Sequence, residues 1–108
     1  MTRRPRSVVL LFAIVAAAGS ARAEGDGRSP SWAAYCSVCH GTDGRADTEE
    51  GRKRKARNLA DPRWLATVSD ARLESSIRRG RDQMPAFGRK LSEEQIKALV
   101  AEIRSLAH

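Results

Sequence analysis

Two cysteines and a histidine lie within five residues, in the segment Cys36-Ser-Val-Cys39-His40. The chain has no other cysteine, and its only other histidine is His108. The pattern Cys-x-x-Cys-His marks the covalent attachment of a c-type haem. In such a site the two thiols form thioether bonds to the porphyrin, and the adjacent histidine binds the iron. The segment therefore predicts one covalent haem c, held by Cys36 and Cys39, with His40 as an axial iron ligand.

Other chemistries also use closely spaced cysteines, and they fit this segment less well. A structural zinc site takes four protein ligands, whereas the segment offers three. A thioredoxin-like dithiol is found beside a βαβ pattern, and no stretch of this chain alternates as a strand does. A disulfide across three residues would close a very short loop and stabilise the fold little. Haem attachment is the interpretation that the residues favour.

A second axial ligand is expected from Met84, the only methionine after residue 1. It lies between Gly80 and Gly88, and Pro85 biases its backbone away from the helical region. The competing interpretation is a methionine that fills a gap in the core. Two filled axial positions favour electron transfer over catalysis at the iron, and thioether ligation raises the reduction potential. Rival sixth ligands are His108, Lys53, Lys55, Lys90 and Lys97.

Residues 1–23 have the layout of an export signal. A basic start is followed by an apolar run from Val8 to Ala18 and by the small-residue end Ala21-x-Ala23. The run is shorter than the roughly 20 apolar residues that cross a bilayer. We expect cleavage after Ala23, a periplasmic location and no membrane span in the mature chain; an uncleaved anchor is the alternative.

The mature chain is small and poor in large apolar side chains. Residues 24–108 number 85, and their only aromatic residues other than histidine are Trp32, Tyr35, Trp64 and Phe87. Four of the twenty basic residues lie in 1–23 and all thirteen acidic residues lie after it, so the net charge falls from +7 to +3. A domain of this size with so sparse a core usually needs a cofactor or a cross-link.

The elements that position the motif are predicted to be short helices. The first begins at Ser29-Pro30, with serine as N-cap and proline at the first helical position, and ends at Gly41. Residues 41–57 are polar and are predicted to form a loop. Later helices are predicted to begin at Asp61-Pro62, to span 70–79 after Ser69, and to follow a capping box at Ser92 and Gln95.

These residues together resemble the small class I c-type cytochromes over about 31–106. The resemblance is carried by Cys36, Cys39 and His40, by Met84-Pro85, and by the last helix. It implies an all-α cytochrome c fold, with three to five short helices and long loops around one covalently bound haem. It also implies His40 and Met84 as the axial ligands. The expected organisation is a signal peptide at 1–23, a lead-in at 24–30 and the haem domain at 31–107.

The chain departs from the family pattern at both terminal helices. Glu102 stands where the last helix of many members carries tyrosine or tryptophan. Arg28 stands near the usual position of a glycine in the first helix.

The basic run 52–57 has three possible uses: a solvated loop, a docking patch for an acidic redox protein, or a contact with nucleic acid. Electrostatic steering accelerates brief encounters, which favours the second use for an electron carrier. No base-stacking aromatic residues are interleaved with the charges, so we expect no nucleic-acid binding. Arg57, Asn58 and Trp64 are candidate donors to the haem propionates.

The predicted function is that of a soluble, monomeric electron carrier, not an enzyme, which exchanges single electrons with redox proteins. One alternative is a haem-based ligand-binding or peroxidase-type protein, which needs an open distal position. Another is a small cytochrome subunit of a larger oxidoreductase complex.

Overall fold

A computed structural model describes residues 27–107 together with Arg3. The predicted export signal apart from Arg3, most of the predicted lead-in, and His108 lie outside the described residues. The first helix continues from a π-helical segment, Trp32–Cys36, into α1, Ser37–His40. The later helices are α2 Glu49–Arg54, α3 Pro62–Leu65, α4 Asp70–Arg79 and α5 Glu93–Ser105.

Helices and loops make up residues 27–107, with one isolated bridge between Arg81 and Met84 and no strand. The predicted all-α class is therefore confirmed. None of the helices in this part of the chain has the length and apolar character that a membrane crossing requires.

The predicted helix starts are confirmed by their capping bonds. The hydroxyl of Ser29 accepts from the amide of Trp32, and the hydroxyl of Ser69 accepts from the amide of Arg72. At the start of α5, Ser92 and Gln95 form a reciprocal capping box. These bonds satisfy amides that the first turn of a helix leaves without partners, which is why the caps can be recognised in the sequence.

The prediction that residues 41–57 form one continuous loop is wrong, because α2 lies within it. Thr48 is its N-cap and accepts from the amide of Gly51, while Lys55 ends the helix in the left-handed conformation. Acidic residues occupy the first turn and basic residues the last, which suits the helix dipole. Pairs such as Glu50 and Arg54, four residues apart, add to this. The helix has no large apolar face, and its cap, its charge pairs and its packing against α1 together stabilise it.

The apolar core lies mainly between the first helix, α4 and α5. The largest fully buried side chains are Trp32, Ile96, Leu99 and Leu106. Leu73 and Ile77 on α4 are also buried, and α4 and α5 are in contact. A cavity lies next to this core, and core residues such as Leu73 and Ile77 form part of its lining.

Candidate haem site

The cysteine pair lies where the π-helical segment passes into α1. Cys36 is buried and Cys39 is half-buried, and both are free thiols. Burial, and to a lesser extent the charge of Glu102, raises the pKa of the Cys36 thiol to about 12. Reactive dithiols need a lowered thiol pKa, so this environment is unlike that of a thioredoxin-type centre. π-Helical turns are rare and are frequently found at functional sites.

His40 ends α1 with a fixed ring orientation. Its Nδ1 lies 2.9 Å from the carbonyl oxygen of Arg57. A carbonyl only accepts, so Nδ1 carries the proton and Nε2 is left with a lone pair. Burial lowers the pKa of His40, and the bond to Arg57 opposes that shift. The neutral imidazole with a protonated, hydrogen-bonded Nδ1 is the form in which histidine binds a metal through Nε2.

Two further contacts fix the residues around His40, one beside it in the chain and one at Arg57. The indole Nε1 of Trp32 donates to the carbonyl of Gly41 at 3.1 Å, and Gly41 adopts a positive φ of 77°. The guanidinium of Arg57 lies over the ring of Trp64, 4.6 Å from its centroid. The residue whose carbonyl orients His40 is therefore itself stacked on an aromatic side chain.

Helix α2 packs directly against the cysteine segment. The hydroxyl of Thr48 donates to the carbonyl of Cys39 at 2.7 Å. A Cβ added at Gly51 would collide with that same carbonyl and lie 2.7 Å from the carbonyl of Ala46. Glycine at this position allows the backbones of α1 and α2 to approach each other closely.

Met84 lies in a tight loop that is anchored to the end of α4. The amide of Arg81 donates to the carbonyl of Met84 at 3.0 Å, and the amide of Met84 donates to the carbonyl of Arg81 at 2.8 Å. Gly80, with φ +75°, has no room for a Cβ, which would lie 2.6 Å from the carbonyl of Met84. After the loop, the amide of Phe87 donates to the carbonyl of Ile77 at 2.9 Å. The Met84 side chain is half-buried against the core.

The four predicted site residues, Cys36, Cys39, His40 and Met84, all line one cavity of about 940 Å³. This volume is near the top of the range of roughly 300–1,000 Å³ that cofactor and ligand sites occupy. Its lining is mostly apolar, and no buried polar side-chain atom among the described residues is left without a partner. Two thiols, one available imidazole nitrogen and one thioether are the groups by which a haem c is held, so the residues present fit that cofactor.

Some of the other residues predicted to belong to the site line the cavity, and others do not. Arg57, Asn58 and Trp64 line the cavity, and their role as donors to the haem propionates remains a prediction. Among the lysines proposed as rival ligands, Lys55 lines the cavity and the other three do not. The rival His108 lies outside the described residues.

Sequence reasoning missed two contributors to the site. The carbonyl of Arg57 orients His40, and no sequence signal identifies it, because every residue carries the same backbone carbonyl. Helix α2 braces the cysteine segment, and its signal was present: a threonine cap, Glu49 and Glu50 in the first turn, and basic residues four positions later.

Comparison with known proteins gives consistent matches. A family model described as "Cytochrome C oxidase, cbb3-type, subunit III" matches residues 26–101. The cbb3-type cytochrome c oxidase subunit FixP of Azorhizobium caulinodans is 40% identical over 76 residues, which is 69% of this chain. That stretch is 25% of FixP, so the chain spans about a quarter of the length of this curated relative.

Solved structures match over most of the described part. The c-type cytochrome KustC0563 has a TM-score of 0.67 and 37% sequence identity, and the match covers 71% of this chain and 93% of that one. A mutant of the same protein has a TM-score of 0.64 and 38% identity, over 69% and 92% of the two chains.

Proposed function

Because this chain belongs to the cytochrome c family described by the cbb3-type oxidase subunit III model, we propose that it transfers single electrons through one haem c attached to Cys36 and Cys39. Family membership implies haem c as the cofactor and electron transfer as the activity. The observation that carries the proposal is that both thiols, the imidazole of His40 and the thioether of Met84 line the same cavity.

Each residue has a distinct role in this proposal. Cys36 and Cys39 would hold the cofactor through thioether bonds, and Nε2 of His40 and the sulfur of Met84 would bind its iron. When bound, the haem supplies a one-electron couple between ferrous and ferric iron, and a methionine ligand raises its potential. Two backbone hydrogen bonds close the Met84 loop, and Met84 lines the cavity, so its thioether would occupy the position that a small ligand needs.

The test uses protein from a host that matures c-type haem. Haem should stay with the polypeptide under denaturing conditions, and the oxidised protein should show the weak long-wavelength band of iron–thioether ligation. In Met84→Ala the haem should remain attached, the reduction potential should fall, and carbon monoxide should bind the reduced form. An unchanged reduction potential in Met84→Ala would show that a residue other than Met84 is the sixth ligand. Strong carbon monoxide binding by the unmodified protein would instead support the haem-based ligand-binding or peroxidase function.

The proposed redox partners present acidic surfaces. In the run 52–57, three basic residues lie beside carboxylates of the same segment: Arg52 beside Asp47, Lys53 beside Glu49 and Glu50, and Arg54 beside Glu50. The run is therefore less positive than its composition implies. The cavity lining nevertheless has more basic than acidic residues: Arg54, Lys55, Arg57, Arg72 and Arg81 against Glu50 and Asp82.

This charge excess can be tested with small redox probes. Oxidation by anionic hexacyanoferrate should slow as ionic strength rises, whereas oxidation by a cationic cobalt complex should accelerate, because salt screens attraction and repulsion alike. The same salt dependence with both probes would contradict a positive cavity rim.

For location and assembly, we propose an exported, soluble, monomeric carrier, on the strength of the signal-like residues 1–23 and the resemblance to small cytochromes. The second candidate, a subunit of a cbb3-type oxidase, is favoured by the family model and by FixP. Fractionation of the native organism separates them. Recovery in the periplasmic fraction at the size of one chain supports the carrier, and co-purification with a membrane-bound oxidase supports the subunit.

A further inference from the structure

We propose that Arg54 is a positioning residue that holds the Met84 loop closed over the cavity. The proposal rests on the function above, in which Met84 is the axial ligand. Nη1 of Arg54 donates to the carbonyl oxygen of Gln83 at 3.3 Å, and Gln83 directly precedes Met84. Arg54 lies on α2, 29 positions earlier in the chain, so the contact joins two separate elements across the rim of the cavity.

The Arg54 side chain is itself oriented by a neighbour on the same helix. Its Nε donates to Oε2 of Glu50 at 3.3 Å. The planar guanidinium can bond to a carboxylate through one nitrogen and to a carbonyl through another, which the single ammonium of lysine does less well. Glu50 and Arg54 therefore form a two-residue bridge from α2 to Gln83.

The fixed end of the bridge is the haem-attachment segment. Thr48, the cap of α2, is hydrogen-bonded to the carbonyl of Cys39. The close approach of Gly51 to that carbonyl leaves α2 no space to move toward α1. Arg54 consequently links the cysteine side of the cavity to the methionine side.

The other end of the bridge is the least anchored part of the loop. Asp82 and Gln83 are exposed, and Asp82 has a positive φ of 51°. The backbones of Arg81 and Met84 bond to each other, and Phe87 bonds to α4, but none of these backbone hydrogen bonds involves Asp82 or Gln83. Within residues 27–107, Arg54 is the only side chain from another element seen to hydrogen-bond to residues 81–84.

Imidazole added to the oxidised protein measures how firmly the loop is closed. It reaches the iron only when Met84 has moved away, so its apparent Kd equals the intrinsic Kd divided by the open fraction. Both hydrogen bonds of the bridge are long, at 3.3 Å, and exposed to solvent, so their contribution is modest. We expect Arg54→Ala to lower the apparent Kd for imidazole about three- to tenfold.

The matched control is Arg52→Ala. Arg52 is on the same helix and also pairs with a carboxylate, Asp47, but makes no contact with the loop. Removing it changes the net charge by the same amount, and the apparent Kd should stay within about twofold of that of the unmodified protein.

A double-mutant cycle tests the bridge without relying on one variant. Glu50→Gln should lower the apparent Kd slightly in the unmodified background and leave it unchanged when Arg54 is already alanine, because Glu50 acts through Arg54. Equal effects of Glu50→Gln in both backgrounds, or equal effects of Arg54→Ala and Arg52→Ala, would overturn the positioning role.

Failure of the underlying function has a different signature. If the unmodified oxidised protein lacks the iron–thioether band, Met84 is not the ligand and the proposed ligation fails. If the band is present and persists in Arg54→Ala with an unchanged Kd for imidazole, the ligation stands and only the positioning role is wrong.

Discussion

The carboxylate of Glu102 on α5 accepts two hydrogen bonds from Ser29, one from the amide at 2.9 Å and one from the hydroxyl at 2.6 Å. The hydroxyl of Ser29 in turn accepts from the amide of Trp32. The two ends of the domain, 73 positions apart, are therefore joined by a polar contact. Many relatives are expected to carry an aromatic residue at this position; here the carboxylate completes the cap of the first helix.

Glu102→Ala should lower the free energy of unfolding by about 2 kcal/mol, because it removes two hydrogen bonds to a charged acceptor at a helix start. Urea denaturation of the haem-loaded protein measures this. Ser29→Ala should cost about 1 kcal/mol, and the two changes together should cost less than their sum. Glu94→Ala, an exposed glutamate on the same helix, is the control. Strictly additive costs for Ser29 and Glu102 would contradict the contact.

Arg104 ties α5 to the turn between α3 and α4. Its guanidinium donates to the carbonyls of Leu65 and Val68 and to Oδ1 of Asp70, at 2.5, 2.6 and 2.8 Å. Arg104→Lys keeps the charge but cannot serve three acceptors in a plane. We expect it to lower the free energy of unfolding by about 2 kcal/mol, nearly as much as Arg104→Ala. Full stability of the lysine variant in urea denaturation would show that charge alone is needed.

Gly51→Ala should be destabilising although alanine is the better helix former. The gain in helix propensity is about 1 kcal/mol. Against it, the added Cβ would collide with the backbone carbonyl of Cys39. Overpacking costs about 1–3 kcal/mol and is highest where the neighbour is backbone, so the clash should prevail. The expected result is a lower midpoint in urea and a smaller yield of haem-loaded protein. A midpoint raised above that of the unmodified protein would contradict the close packing of α2.

Acid should weaken the contact between α4 and α5. The hydrogen bond and charge of Arg78 lower the pKa of Glu93 below its ordinary value of 4.5, despite an opposing contribution from desolvation. Because the pKa is lower in the folded state, the stabilisation is complete above about pH 4.5 and is lost as the pH falls through the lowered value. Glu93→Gln should therefore flatten the acid side of a plot of denaturation midpoint against pH.

Arg78→Gln provides the matched test of that pH dependence. It removes the partner of Glu93 at 2.6 Å and should flatten the same part of the plot. An acid side as steep as that of the unmodified protein in both variants would show that this pair does not contribute.

The features that the sequence predicted correctly depend on residues close together in the chain. The caps at Ser69 and Ser92, the proline at the start of α3 and the all-α class follow from bonds between residues two to four positions apart. The resemblance to c-type cytochromes is likewise confirmed by the family model and the solved structures. Helix α2 is also a local feature, but its signal is a threonine cap and a pattern of charges, and it has no apolar periodicity from which a helix could be predicted. The export signal and the assignment of ligands remain predictions.

The sequence by itself predicted the chemistry that we propose for this protein, from two thiols and a histidine at haem-binding spacing and one methionine in a glycine-flanked loop. Only the tertiary structure decided which groups orient and close the site. The carbonyl of Arg57 meets His40 from 17 positions away, and Arg54 reaches Gln83 across 29. The physical reason is that both acceptors are backbone carbonyls, identical in every residue type, and the packing of the whole chain selects which one lies within hydrogen-bonding distance.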